Sequence, residues 1–197
     1  MTLLRWFSRL TWLGACLWLA GCETPLPEVL YPDLRFSHLP PIQLNVARID
    51  VVDGYQSPLR EPNVEHKLPL APALAMRNWA RDRLRAVGSH GRARFVIQDA
   101  SVIMEPLKKK NGLKALFTLR QAARFSARLA ARLEVETAGG MGSGFAEAQV
   151  TRQRTTPETL SLNEREGVLY QFVEASAKDF DQVMAEKIRQ HLGDFLR

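Results

Sequence analysis

Apolar residues change their spacing several times along this chain, and each spacing predicts an element. A near-continuous apolar run fills Leu10 to Gly21. Over 42–53 the apolar residues alternate, with Leu44 and Val46 on one parity and Ile49 and Val51 on the other. That shift predicts a strand carrying a bulge or buried on both sides. Met76, Trp79, Ala80, Leu84 and Val87 then recur at helical spacing, predicting a helix over 71–87. Pro72 suits its first turn and Gly88 its end. From Arg94 to Glu105 apolar residues again occupy both parities, predicting a central strand covered on two faces or a bulge near Asp99.

The clearest signal follows. Phe125, Ala127, Leu129, Ala131, Leu133 and Val135 alternate with Ser126, Arg128, Arg132, Glu134 and Glu136. Arg120, Arg124, Arg128 and Arg132 also recur every fourth residue, as on a helix, but the sustained period of two decides for a half-buried strand. A short helix is expected around 118–123, inside an insertion. Ala146, Ala148 and Val150 mark a return strand ended by Pro157, and the glycine-rich 139–144 between the two strands reads as a hairpin tip. Over 161–192 the apolar stripe of Leu169, Phe172, Val173, Ser176, Phe180, Val183, Met184, Ile188 and Leu192 predicts one long helix. Ser161 and Glu164 have capping-box spacing at its start. At ~1.5 Å per residue it is about 45 Å long, more than a small sheet covers, so an overhanging end or a second chain is expected.

The order strand, helix, strand, insertion, strand, strand, helix predicts an α/β two-layer sandwich, two amphipathic helices on a roughly four-stranded mixed sheet. The first two strands are expected to be parallel across the helical crossover.

The beginning of the chain carries a different message. Arg5 and Arg9 precede the apolar run, and small residues close it, as in a secretory signal. The run is short of the ~20 residues that span a bilayer. Its end, Leu19-Ala20-Gly21-Cys22, resembles a bacterial lipobox. That resemblance implies diacylglyceryl transfer to the Cys22 thiol and cleavage just before it. Leu13-Gly14-Ala15-Cys16 has a similar form, but it would leave very little apolar run after Arg9, so Cys22 is favoured. The expected organisation is a signal peptide over 1–21, a lipidated Cys22 with a proline-rich tether over 22–41, and one α/β domain over 42–197. Pro25, Pro27, Pro32, Pro40 and Pro41 make that tether semi-stiff and extended.

Composition changes this picture only slightly. Losing Arg5 and Arg9 with the signal takes the formal charge from +6 to +4 and leaves Trp79 as the only mature tryptophan. Only Cys22 remains of the cysteines, which excludes an intramolecular disulfide and a cysteine-rich metal site. With 46% apolar residues, a domain of this length buries an ordinary core without staples.

Candidate chemistry is sparse. His38, His66, His90 and His191 lack metal-ligand spacing and a neighbouring nucleophile motif. His90 and His191 are expected at helix ends. The glycine loop lacks the Gly-Lys-Ser/Thr ending of a nucleotide-binding loop. Arg77, Arg81 and Arg85 recur on one helical side, and a solvated face is the ordinary meaning of such a stripe. Lys108, Lys109 and Lys110 form a compact basic loop and are the candidate contacts to an anionic surface. No cofactor, no metal and no nucleic-acid partner are expected.

The lipobox, the tether and the element order together look like the small α/β lipoproteins of Gram-negative envelopes, such as auxiliary lipoproteins of lipid-transport ABC systems and the lipoprotein of the lipopolysaccharide translocon. The stretch from Asn78 to Gly88, with Leu162-Asn163-Glu164-Arg165-Glu166, is similar to proteobacterial envelope lipoproteins without an assigned activity. The resemblance implies a non-enzymatic accessory or binding component, held to a membrane by N-terminal acyl chains and working within an envelope complex. Its expected working surfaces are the tip 139–144, the lysine loop and the exposed sheet face. A lipid- or glycolipid-binding module, using the helix–sheet crevice with Lys108, Lys109 and Lys110, is the alternative. A hydrolase with an unrecognised site comes third. Glu23, rather than aspartate, follows Cys22, which by the sorting rule of many Gram-negative bacteria implies the periplasmic face of the outer membrane.

Overall fold

The computed structural model describes residues 30–107, 121–137, 142–157 and 159–197. The chain divides after Leu30, and the folded unit runs from Tyr31 to Arg197. Its elements are β1 (Ile42–Leu44), β2 (Arg48–Asp53), α1 (Pro72–Arg83), β3 (Leu84–Ala86), β4 (Arg92–Pro106), β5 (Gln121–Glu136), β6 (Ser143–Pro157) and α2 (Leu162–His191). A four-stranded mixed sheet has the order β2-β4-β5-β6, with β2 parallel to β4 and the other pairs antiparallel. β1 and β3 form a separate two-stranded parallel sheet. Both helices pack on one face of the large sheet, so the architecture is α/β as the patterning predicts.

The two parity shifts have different causes. In β4 the buried residues are Ala93, Phe95 and Ile97, then Ala100 and Val102. The register against β5 slips between Ile97 and Asp99, so a bulge turns the second apolar set back to the same face. Over 42–53, by contrast, the chain breaks into two strands. Leu44 and Val46 are wholly buried, the backbone turns at 45–47, and β2 continues in the other sheet.

α1 is also shorter than its apolar stripe predicts. Leu84–Ala86 leaves the helix and pairs with Ile42–Leu44, because the backbone groups of β1 need partners that a longer helix would withhold. Gly88 therefore ends no helix. Its backbone lies so close to Asn45 and Val46 that a Cβ would stand 2.6 Å from the Asn45 carbonyl carbon.

β5 matches its alternation closely, with Phe125, Ala127, Leu129, Ala131, Leu133 and Val135 all buried. Residues 121–123 are strand rather than the helical turn expected there. The expected parallel pairing of the first two long strands, the hairpin and the α2 capping box are all present. Strands of 15 and 16 residues extend about 50 Å at ~3.3 Å per residue, which is why a 30-residue helix finds enough sheet beneath it. At the C-terminal end of α2, Ile188 and Leu192 are fully buried. The overhang is at the other end, where residues 161–165 are exposed and Leu162 is 72% exposed.

The core centres on Trp79 of α1, packed against Phe95 of β4 at 5.2 Å and edge-on to Phe180 of α2 at 5.3 Å. Residues 31–41 lie along the helices, although proline density reads there as a spacer. Leu34 and Phe36 are buried, Asn78 donates to the Leu34 carbonyl at 3.1 Å, and Asp82 accepts from Arg35 and from the Phe36 N–H. Tyr31 stacks on Tyr170 at 5.1 Å, and the Tyr170 hydroxyl donates to the Pro32 carbonyl. A buried side chain of this kind contributes roughly 1.5–3 kcal/mol, enough to hold an extended strap.

Candidate functional site

Cys22 and Lys108, Lys109 and Lys110 lie outside the described residues, as do 139–141 of the glycine tip. The structure places the strand ends that flank the lysine segment and the tip.

Lys108 follows β4 by two residues. At that end of the sheet, the outer part of β4, β5 and the overhanging start of α2 enclose an apolar crevice of about 260 Å³. Met104, Phe125, Leu162 and Leu169 form its walls, with Lys67 and Arg165 among its polar lining. Val64, Phe125 and Leu169 of its lining belong to a second group of buried side chains, which also includes Val102 and Phe172. Arg165 is held by soft contacts, 3.7 Å from the Met104 sulfur and 5.8 Å from the Phe125 ring. This crevice lies between helix and sheet, at the end of the sheet where β4 finishes.

The opposite end of the unit carries the glycine tip. Thr137 donates to the Gly142 carbonyl from both its N–H and its hydroxyl, which pins the base of the hairpin. At Gly144 a Cβ would stand 2.9 Å from both Leu192 and Phe195. The small residue there lets the C-terminal segment pack under the tip. A cleft of about 770 Å³ opens beside it, lined by Arg132, Glu134, Phe145, Glu147, Lys187 and His191 among others.

The exposed sheet face is charged but internally matched. Register puts Arg92 opposite Glu136 and Arg94 opposite Glu134, and these pairs close to 2.8 and 2.9 Å. Arg128 meets Asp99 at 3.4 Å and Gln149 at 2.8 Å. Arg132 Nε lies 3.3 Å from Glu134 without hydrogen-bond alignment. Its guanidinium instead covers the Phe145 ring at 3.7 Å. Opposite charges facing one another across strands stabilise the sheet modestly. They also leave a surface with little net field, which suits short-range polar contacts better than capture of a highly charged polymer.

The arginines expected on one helical side are dispersed. Arg77 pairs with Asp53 of β2 at 2.7 Å, Arg81 is solvated, and Arg85 belongs to β3. His90 sits in the turn before β4, beside the Ser89 hydroxyl at 2.7 Å, rather than at a helix end; His191 does end α2. Among the described residues no group of three or more His, Cys, Asp or Glu side chains could hold a metal ion. Among them, too, no helix is long and apolar enough to cross a membrane.

Two buried polar centres escaped pattern reading, because their members are far apart or sit in a loop. One joins the helices: Asp181 accepts from Trp79 Nε1 and Arg83 Nε, each at 2.7 Å, and Arg83 also donates to the Pro40 carbonyl. The other is Glu65, only 5% exposed, which accepts from the Tyr55 hydroxyl, the Ser57 hydroxyl and the Val102 N–H. Burial pushes the Glu65 carboxyl up, but the bonds from Ser57, Tyr55 and backbone N–H groups outweigh it and hold the carboxyl below its ordinary value. The same burial and the neighbouring carboxylate raise the Tyr55 phenol. With every donor directed inward, Glu65 fastens the 54–70 loop to β4.

A depressed folded-state value means that Glu65 contributes stability above its unfolded value, lost as pH falls through the folded one. Glu65→Gln is expected to cost about 1–3 kcal/mol at pH 7, since an amide presents donors to donors. Between pH 6 and pH 3 the variant's Tm should fall less steeply than that of the wild type, as thermal denaturation across pH would show.

Among models of known protein families none matches the chain, and no curated protein matches it in sequence. Solved structures do show partial likeness. Rare lipoprotein B from Shewanella oneidensis superposes with a TM-score of 0.35 at 9% identity, over 71% of this chain and 92% of that one. A minor lipoprotein from Acinetobacter baumannii superposes with a TM-score of 0.36 at 11% identity, over 71% of this chain and 93% of that one. At such distance no role passes from them to this chain.

Proposed function

We propose that this chain is a bacterial envelope lipoprotein, held on a membrane by acyl chains on Cys22. It acts there without catalysis as an accessory or binding component, in lipid transport or envelope assembly. The observation that carries this reading is Leu19-Ala20-Gly21-Cys22 at the end of a signal-like apolar run. The described surfaces fit it. The well-buried carboxylates of Glu65, Asp82 and Asp181 are consumed in tying elements together, and the open sheet face is a neutralised ladder suited to a protein neighbour. Glu23 after the acylated residue favours the periplasmic face of the outer membrane.

The second reading, a lipid- or glycolipid-binding module, is favoured by one observation: the apolar crevice lies where β4 leads into Lys108, Lys109 and Lys110. The two readings diverge for protein that lacks its acyl chains. As an accessory component, the Cys22→Ala protein should fail to float with phosphatidylglycerol vesicles. Binding that persists, and then disappears when Lys108, Lys109 and Lys110 become alanine, would replace the first reading with the second.

A further inference from the structure

The folded unit has two unlike ends, and the position of Tyr31 decides which of them a tether can bring to a membrane. Tyr31 is fixed at the start of α2. Its hydroxyl is 3.4 Å from the Asn163 carbonyl, its ring stacks on Tyr170, and Gly167 faces it. Leu162, Arg165 and Leu169, on the same two turns, line the apolar crevice. Crevice and strap therefore share one end of the molecule. Gly144, Leu192 and Phe195 mark the other end, about 40 Å away at ~1.5 Å per helical residue.

Cys22 precedes Tyr31 by nine residues, which span about 30 Å at most when fully extended. An anchor at Cys22 can bring the crevice end to the bilayer with chain to spare. It cannot let the tip end stand on the bilayer, because the distance back to Tyr31 exceeds the tether.

From this geometry we propose that the crevice formed by Met104, Phe125, Leu162 and Leu169 is a membrane-contact site that takes one acyl chain of a bilayer phospholipid. The inference rests on Cys22 acylation and adds an orientation and a ligand to it. Leu162 stands 72% exposed at the crevice mouth, a placement whose cost in water is removed by contact with lipid. The volume, about 260 Å³, is below the ~300–1,000 Å³ usual for a whole small-molecule ligand. It suits the end of one chain rather than a glycolipid. Lys67, 3.9 Å from Glu61, and Arg165 are the cations at the lining, beside Glu166, and supply donors for the phosphate of an anionic phospholipid. A contact this small is weak alone, and the anchor makes it effective by raising the local lipid concentration.

The test uses the acylated full-length protein, purified from membranes and reconstituted in phosphatidylethanolamine–phosphatidylglycerol vesicles with brominated acyl chains. Leu162→Trp and Phe145→Trp place reporters at the two ends, and buried Trp79 supplies an unquenched reference. In the floated fraction, Leu162→Trp should lose most of its added emission to bromine, and Phe145→Trp none. Replacing Lys67 and Arg165 with glutamine should reduce the quenching in these anionic vesicles. If the Leu162→Trp protein floats with its added emission unquenched, the proposal is overturned while the anchor stands. Added emission that is blue-shifted yet unquenched in that variant overturns it too, and would mean that the chain itself fills the crevice. Equal quenching at both ends overturns it in favour of a side-on orientation. Protein that does not float removes the acyl anchor and the proposal together.

Discussion

Asp181→Ala is expected to destabilise the folded unit by about 3–5 kcal/mol, the usual cost of stranding one member of a buried ion pair. Arg83 and Asp181 side chains are 7% and 13% exposed, so water cannot replace the lost carboxylate. The substitution removes three things at once. Arg83 keeps only the Pro40 carbonyl, Trp79 Nε1 loses its acceptor, and α1 loses a charged link to α2. On a chain of this size, Tm should fall by on the order of 10 °C. Differential scanning calorimetry measures that shift, and near-UV dichroism reports the loosening around Trp79. The combined change Arg83→Met with Asp181→Leu should cost less than Asp181→Ala alone, because it leaves no unpaired charge. A double change as costly as the single one would show that packing, not charge stranding, sets the effect.

That buried pair also shows where pattern reading stops. The two residues are 98 positions apart, and no periodicity connects them. Trp79 and Phe180, by contrast, lie on helical stripes whose spacing already directs them to one core. The same distinction runs through the strands. In β5 every second residue from Phe125 to Val135 is apolar, so element, face and burial were all legible. In β4 and over 42–53 the parity shift was legible but its cause was not, since a bulge at Asp99 and a break at 45–47 leave the same trace in one dimension. The end of α1 was misjudged because Leu84 and Val87 continue its stripe, while the pairing that draws Leu84–Ala86 into β3 depends on a partner 42 residues earlier. Proline density hid the strap. Prolines exclude helix from 31–41, but they do not prevent Leu34 and Phe36 from packing, and those two buried residues make the segment part of the fold. A soluble fragment designed from residue 42 would lose both of them, as well as the Arg35–Asp82 pair.

The candidate site was legible in a different sense. Cys22 is proposed from local sequence chemistry alone, a reading that uses nothing of the fold. The crevice was not readable, because Met104, Phe125 and Leu162 come together only through the hairpin register and the overhang of α2. Its nearness to Tyr31 turns a local motif into a statement about orientation.

Cys22→Ala has the largest expected effect on where the protein is found. A myristoyl-sized chain alone gives marginal membrane binding, whereas two or more acyl chains give stable attachment. Loss of the acceptor thiol removes all of them together. No described helix can substitute by crossing the bilayer, and the crevice offers only a small contact. The variant should therefore pass from almost wholly membrane-bound to almost wholly soluble, with its leader cut elsewhere. The most direct test is density-gradient fractionation of wild-type and Cys22→Ala cells, with the mass of the N-terminal peptide measured on the same material. Wild type should band with outer membrane and begin at an acylated Cys22, while the variant leaves the membrane fractions. A variant that remains in the membranes at wild-type level, or a wild type whose Cys22 carries a free thiol, would contradict the account.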